Sequence, residues 1–161
     1  MAASFFAEEL EIMETIRDCL SGDHRACDAA FAATEQAVAA GNWDAARTAF
    51  ETLREAMLAH LAAEEEILFP AFEARTGMSM GPTRVMRGEH AQMRELLEAA
   101  GEALVAQDAE DYAGNAETLL ILTQQHNMKE ENVLYPMCDQ HLAIEASGLV
   151  KRLAAALHSA Q

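Results

Sequence analysis

The feature that most constrains this chain is that it matches itself at an offset of 66 residues. His24 falls on His90, His60 on His126, Glu64 on Glu130 and Pro70 on Pro136. Around the second pair, HLAAEEEILFP lies over HNMKEENVLYP, with Leu68 on Leu134 and aromatic Phe69 on Tyr135. Self-similarity at a fixed offset marks two copies of one supersecondary unit. Two copies are too few for a solenoid and suit a pseudo-twofold arrangement that brings matched residues together.

Each unit reads as a helix pair. Ala, Leu, Glu and Met dominate, and these lose little rotamer freedom in a helix; 8 Gly and 3 Pro leave few turn formers for a strand sandwich. The spacing predicts a first helix from about Phe5 to Ala40, stopped by Gly41. Asn42 caps a second that continues to about Arg75, with Asp44 in its first turn complementing the helix dipole. After a loop from Thr76 to Gly81, Pro82 starts a third helix that ends near Ala106. Asp108 opens a fourth reaching about Gln140, and a tail helix runs from about Ser147 to Leu157. The expected fold is all-α: an up-down-up-down four-helix bundle with a short C-terminal helix, built from two pseudo-symmetric hairpins as one domain over residues 1–161.

Helix two carries a seam of Leu53, Met57, His60, Glu64, Ile67 and Ala71, in alternating steps of four and three that define a buried stripe. Helix four repeats it with Leu119, Thr123, His126, Glu130, Val133 and Met137. Helix one contributes Met13, Leu20, His24, Phe31 and Val38; helix three contributes Met86, His90, Met93, Leu97 and Leu104. Polar groups therefore sit in the middle of every seam. Unpaired buried polar groups cost about 1–3 kcal/mol each, so four imidazoles and two carboxylates in an apolar interior require a partner. A metal supplies one. The candidate ligands are His24, His60, Glu64, His90, His126 and Glu130.

Imidazole with carboxylate and no thiolate suits iron, manganese or zinc, and two carboxylates suffice to bridge two ions. Two divalent ions against two carboxylates leave positive charge that a bridging oxide or hydroxide reduces. Each ion keeps an open position where a small ligand can bind. Glu65, Glu66 and Glu131 fall off the seam and are expected in solvent, as are His141 and His158, which have no repeat partner. Asp28 and Cys27, close to His24, are assigned to acidic surface and to packing, and Met57, Met86 and Met93 to core filling. Pro70 and Pro136, each removing a helix hydrogen bond, are expected to bend or end the bundle symmetrically.

These residues resemble the hemerythrin-like proteins, the family of HHE cation-binding domains, across nearly the whole chain. The resemblance implies a non-haem di-iron site in a four-helix bundle. His24, His60 with Glu64, His90, and His126 with Glu130 match the family's iron ligands, the two glutamates its bridges. Oxygen-carrying members have a further histidine one turn after the third-helix ligand, where this chain has Arg94. Guanidinium does not ligate iron. The departure implies a more open ion, as in the branch resembling iron–sulfur cluster repair proteins, and argues against reversible oxygen transport.

Composition bounds the partners. With 11 basic and 27 acidic residues the net charge is −16, which repels nucleic acid and anionic membranes. The N-terminal stretch MAASFFAEELEIM lacks a basic n-region, no apolar run approaches a membrane span, and three cysteines make an odd set, so a cytoplasmic protein with reduced thiols is expected. Three functions compete: a di-iron protein binding or sensing dioxygen, nitric oxide or peroxide; an iron donor to damaged iron–sulfur proteins; and a metal-free helical interaction module. A ferritin-like oxidase is disfavoured, because such sites place Glu three residues before His and this chain has Ser21, Met57, Arg87 and Thr123 there.

Overall fold

A computed structural model describes residues 14–159, and every regular element among them is helical. Helix α1 spans Ile16–Ala39, α2 Trp43–Ala63, α3 Phe69–Thr76, α4 Pro82–Val105, α5 Ala109–Lys129, α6 Tyr135–His141 and α7 Ala146–His158. Two π-helical turns, Glu64–Leu68 and Glu130–Leu134, join α2 to α3 and α5 to α6. No described helix is long and apolar enough to cross a membrane.

The helix starts follow local chemistry. Thr15 and Asp18 form a reciprocal capping box, so α1 begins at Ile16 and not near Phe5; the stretch from Phe5 to Met13 lies outside the described residues. Asp139 of α6 adds a second cap, accepting from the backbone N–H of Ile16 at 2.9 Å. Asn42 accepts from Ala45 N–H, and Asp108 from Asp111 N–H, at the two predicted starts. The turns ahead of them obey the repeat in backbone conformation: Gly41 has φ of 68°, and Gln107, 66 residues on, has 54°.

α1 pairs with α2 and α4 with α5 as hairpins, and α7 lies across α1 and α2. Two apolar clusters form. One gathers Ile16, Leu20, Leu68, Phe69, Phe72, Leu134, Tyr135 and the inner face of α7. The other gathers Phe31, Phe50, Leu53, Met57, Met93, Leu97, Tyr112 and Leu119. The predicted seams of α1 and α4 are buried throughout their described residues, and those of α2 and α5 as far as Glu64 and Glu130.

Beyond the two glutamates the predicted seam is displaced by one residue, with Ile67, Ala71 and Met137 half-buried at the edge of the core. Val133 is 54% exposed, and Leu68, Phe72, Leu134 and Cys138 are buried where Ile67, Ala71, Val133 and Met137 were expected to lead. The cause is the π turn, which closes i to i+5 bonds and consumes one extra residue, advancing the inward face by one position. Phe69 N–H accordingly donates to Glu64 O, and Tyr135 N–H to Glu130 O. Pro70 and Pro136 do not end the helices; each enters the first turn after its π turn. The carbonyls five residues before them, Glu65 O and Glu131 O, have no proline N–H to accept and take Arg87 at 3.4 Å and Arg17 at 2.7 Å instead.

Candidate metal centre

The π turns place a glutamate on each side of the layer between the two apolar clusters. All six predicted residues converge there: His24 from α1, His60 from α2, His90 from α4, His126 from α5, and Glu64 and Glu130 from the π turns. None is more than 6% exposed, so water does not solvate them. Each imidazole turns Nε2 inward. His60 and His90 Nε2 lie 3.3 Å from Glu64 Oε1; His24 and His126 Nε2 lie 3.3 and 3.1 Å from Glu130 Oε1.

The outward Nδ1 atoms meet a ring of acids that sequence reasoning left out. His60 Nδ1–H donates to Asp23 at 2.7 Å, His126 Nδ1–H to Glu89 at 3.1 Å and His90 Nδ1–H to Glu65 at 3.1 Å. Glu131 faces His24 Nδ1 at 3.5 Å, without hydrogen-bond alignment. Glu65 and Glu131 were expected in solvent. Their side chains are instead 20% and 29% exposed, because the π turn rotates them toward the neighbouring hairpin. Glu66, His141 and His158 are exposed as expected. A carboxylate on Nδ1–H fixes the tautomer that leaves Nε2 free, which is how metal-binding histidines are oriented. The repeat carried the signal, since Asp23 matches Glu89 and Glu65 matches Glu131 at the same offset.

Tyr135 was also missed as a site residue. Its hydroxyl lies 2.8 Å from Glu64 Oε2 and 3.0 Å from Glu130 Oε1, sharing one proton between two carboxylates, and 3.2 and 3.4 Å from His24 and His60 Nε2. Burial, then the two glutamates, hold its phenol well above the usual range. Its repeat mate Phe69 stacks on His90 with ring centroids 5.6 Å apart. Arg94, expected near an open ion, points away and clasps Glu65 with two bonds of 2.8 and 2.7 Å.

Electrostatics fit a site built for cations. Burial works against the charged form of His60, yet Glu64 beside it and the Asp23 hydrogen bond lift it to about 10. Burial likewise opposes ionisation of Glu64, but His60 and its hydrogen-bonding neighbours hold it well below the usual carboxylate range. The three cysteines are buried thiols, with burial raising Cys19 to about 11 and Cys27 to about 12. Glu64 Oε1, His90 Nε2, His126 Nε2 and Glu130 Oε2 are buried without a hydrogen-bond partner. Four orphaned acceptor-capable atoms facing one another are the arrangement a bound cation satisfies. Glu64, His90, His126 and Glu130 offer atoms within 4.8 Å of one another, as do His24, His60 and Glu130. Beside them a cavity of about 20 Å³, lined by Cys27, Met57, Met93 and Thr123 among others, has room for one water-sized group.

The profile of the hemerythrin HHE cation-binding domain matches residues 15–138. The chain belongs to that family. Membership together with the buried histidine and glutamate cluster makes metal binding, typically of iron, the family-level role. No curated protein and no solved structure matches the chain.

Proposed function

We propose that this chain is a cytoplasmic non-haem di-iron protein that binds or senses dioxygen, nitric oxide or peroxide. The single observation carrying it is the set of orphaned donors: six buried nitrogen- and oxygen-bearing side chains aimed at one centre, with four atoms lacking any partner. In this reading α1, α2, α4 and α5 form an up-down-up-down four-helix bundle of two pseudo-symmetric hairpins, with α7 as the short C-terminal helix, in one domain over 1–161. His24, His60, Glu64, His90, His126 and Glu130 would hold two iron ions.

Two such ions supply electrons and open positions for a small ligand. The protein's own contribution is orientation and exclusion. Asp23, Glu89 and Glu65 fix three imidazoles with Nε2 inward, and the two apolar clusters keep bulk water out. Tyr135 holds a proton beside the His24 and His60 nitrogens. The small cavity beside the donors has room for one water-sized group, which favours small ligands.

The test is metal quantification with absorption spectra. Expected are about two irons per chain, oxo-bridge charge-transfer bands in the ferric protein, and spectral change when the reduced protein meets one of the three ligands. No change with any of them refutes the reading. A second reading, iron donation to damaged iron–sulfur proteins, is favoured by the modest supply of six donors for two ions; iron that never passes to an apo-cluster protein refutes that one. A metal-free interaction module leaves the orphaned atoms unexplained.

A further inference from the structure

We infer that the two ends of the centre hold metal unequally, and that the ion on His24 and His60 is the one that leaves first. This rests on the two-metal reading above. The backbone follows the repeat from turn to turn, but side chains break it at three mated positions, all in the same sense.

The first break is Tyr135 against Phe69. The phenol stands among the donors of the His24 and His60 end and lies against both Glu64 Oε2 and Glu130 Oε1, while Phe69 puts no hydrogen-bonding group at His90. The donor groupings reflect this. His90 and His126 form a compact donor group with both glutamates, whereas the group of His24 and His60 includes only Glu130, although His60 Nε2 also lies 3.3 Å from Glu64 Oε1.

The second break is Asp28 against Arg94. Arg94 clasps Glu65, and Glu65 steadies His90. Asp28 is exposed and anionic, so it gives Glu131 no clasp, and His24 Nδ1 is left without a hydrogen-bond partner. Partners of this kind are worth about 10–100-fold in metal affinity.

The third break is Ser21 against Arg87. Arg87 reaches the Glu65 carbonyl and Glu73, closing that flank. Ser21 is too short to do so, and Arg17, one turn earlier, takes the mated Glu131 carbonyl at 2.7 Å instead; the buried, unpartnered Ser21 Oγ lines a polar pocket of about 190 Å³ with Arg17, Arg25 and Glu131. A polar pocket thus borders Glu131, the acid that faces His24 Nδ1. Two contacts run the other way, Asp23 to His60 being shorter than Glu89 to His126, and Arg17 to the Glu131 carbonyl shorter than Arg87 to the Glu65 carbonyl. The first orients a single imidazole and the second holds backbone, and neither restores the missing carboxylate or the missing clasp.

The full chain is loaded anaerobically with two equivalents of ferrous iron and mixed with excess of a colour-forming ferrous chelator. Release is expected in two equal phases whose rates differ by at least about tenfold. Arg94→Gln, altering a side chain that is 38% exposed, accelerates the slow phase and leaves the fast one. Tyr135→Phe, which removes the hydroxyl from Glu64 and Glu130 at that end, slows the fast phase. A single rate, an effect of Arg94→Gln on the fast phase, or a faster fast phase in Tyr135→Phe overturns the inference while two-metal binding stands. A chain that takes up no iron overturns the two-metal reading itself.

Discussion

Against the cost of burial, Glu64 lifts His60 and Glu130 lifts His126 toward the protonated form, while a bound ion would take the same nitrogens, so metal-free and loaded protein respond differently to conditions. Removing His60 or Glu130 deprives the site of a donor while leaving buried partners unpaired. His60→Ala and Glu130→Ala should therefore lose bound iron and lower the melting temperature of iron-loaded protein, since an ion stabilises only the native state. His158→Ala, at an exposed position, should change neither. Equal iron content in all three variants, measured by elemental analysis, contradicts the assignment. In the metal-free protein His60 is raised from 6.5 to about 10, so its contribution is complete below pH 6.5 and is lost as pH rises through about 10. Glu64 is depressed below 4.5, so its contribution is present above pH 4.5 and is lost as pH falls through its lowered value. Urea midpoints of the metal-free protein should accordingly be highest between pH 4.5 and 6.5 and decline toward about 10. A midpoint flat across that alkaline span argues against the charged pair. The six inward residues were legible because periodicity and repeat agree on them. Asp23 and Glu89 were not, because each supports a histidine on the partner helix of its hairpin, a relation that spacing along one helix does not express.

At the scale of elements the limit was the π turn. Alternating steps of three and four describe α2 down to Glu64 and α5 down to Glu130, and one inserted residue then moves Leu68 and Leu134 inward. Nothing in EEEIL or EENVL distinguishes i to i+5 closure from ordinary helix. The prolines were visible, but their meaning depends on Arg87 and Arg17 capturing the freed carbonyls, which are tertiary contacts. The starts at Asn42 and Asp108 were read well because those caps act locally, whereas the Thr15 and Asp18 capping box of α1 was missed. The repeat also exposes a cost. Gln107 holds the left-handed conformation that Gly41 holds at the mated turn, and a side chain there costs about 1–2 kcal/mol relative to glycine. Part of that is offset by the entropy glycine loses on folding. Gln107→Gly should raise stability by about 1 kcal/mol with iron content unchanged. A lower urea midpoint in the variant shows that Gln107 makes a compensating contact.

Over the whole molecule, 27 acidic residues against 11 basic ones have two opposing consequences. A net charge of −16 repels itself in the folded state, and screening acts over about 10 Å at 0.1 M salt. The same field concentrates cations around a centre whose donors are already oriented. Added monovalent salt should thus raise the melting temperature of metal-free protein by relieving repulsion. In the loaded protein it should gain less, because the ions already offset part of the buried negative charge. Metal binding should stabilise more than salt does: free iron at a thousandfold excess over its dissociation constant would add about 4 kcal/mol. For a domain of this size that corresponds to roughly 8–16 °C in melting temperature. Differential scanning calorimetry of metal-free and iron-loaded chain, each with and without salt, separates the two effects. If loading moves the transition no further than salt alone, the cation is held at the acidic surface, and the buried histidines are not what binds it.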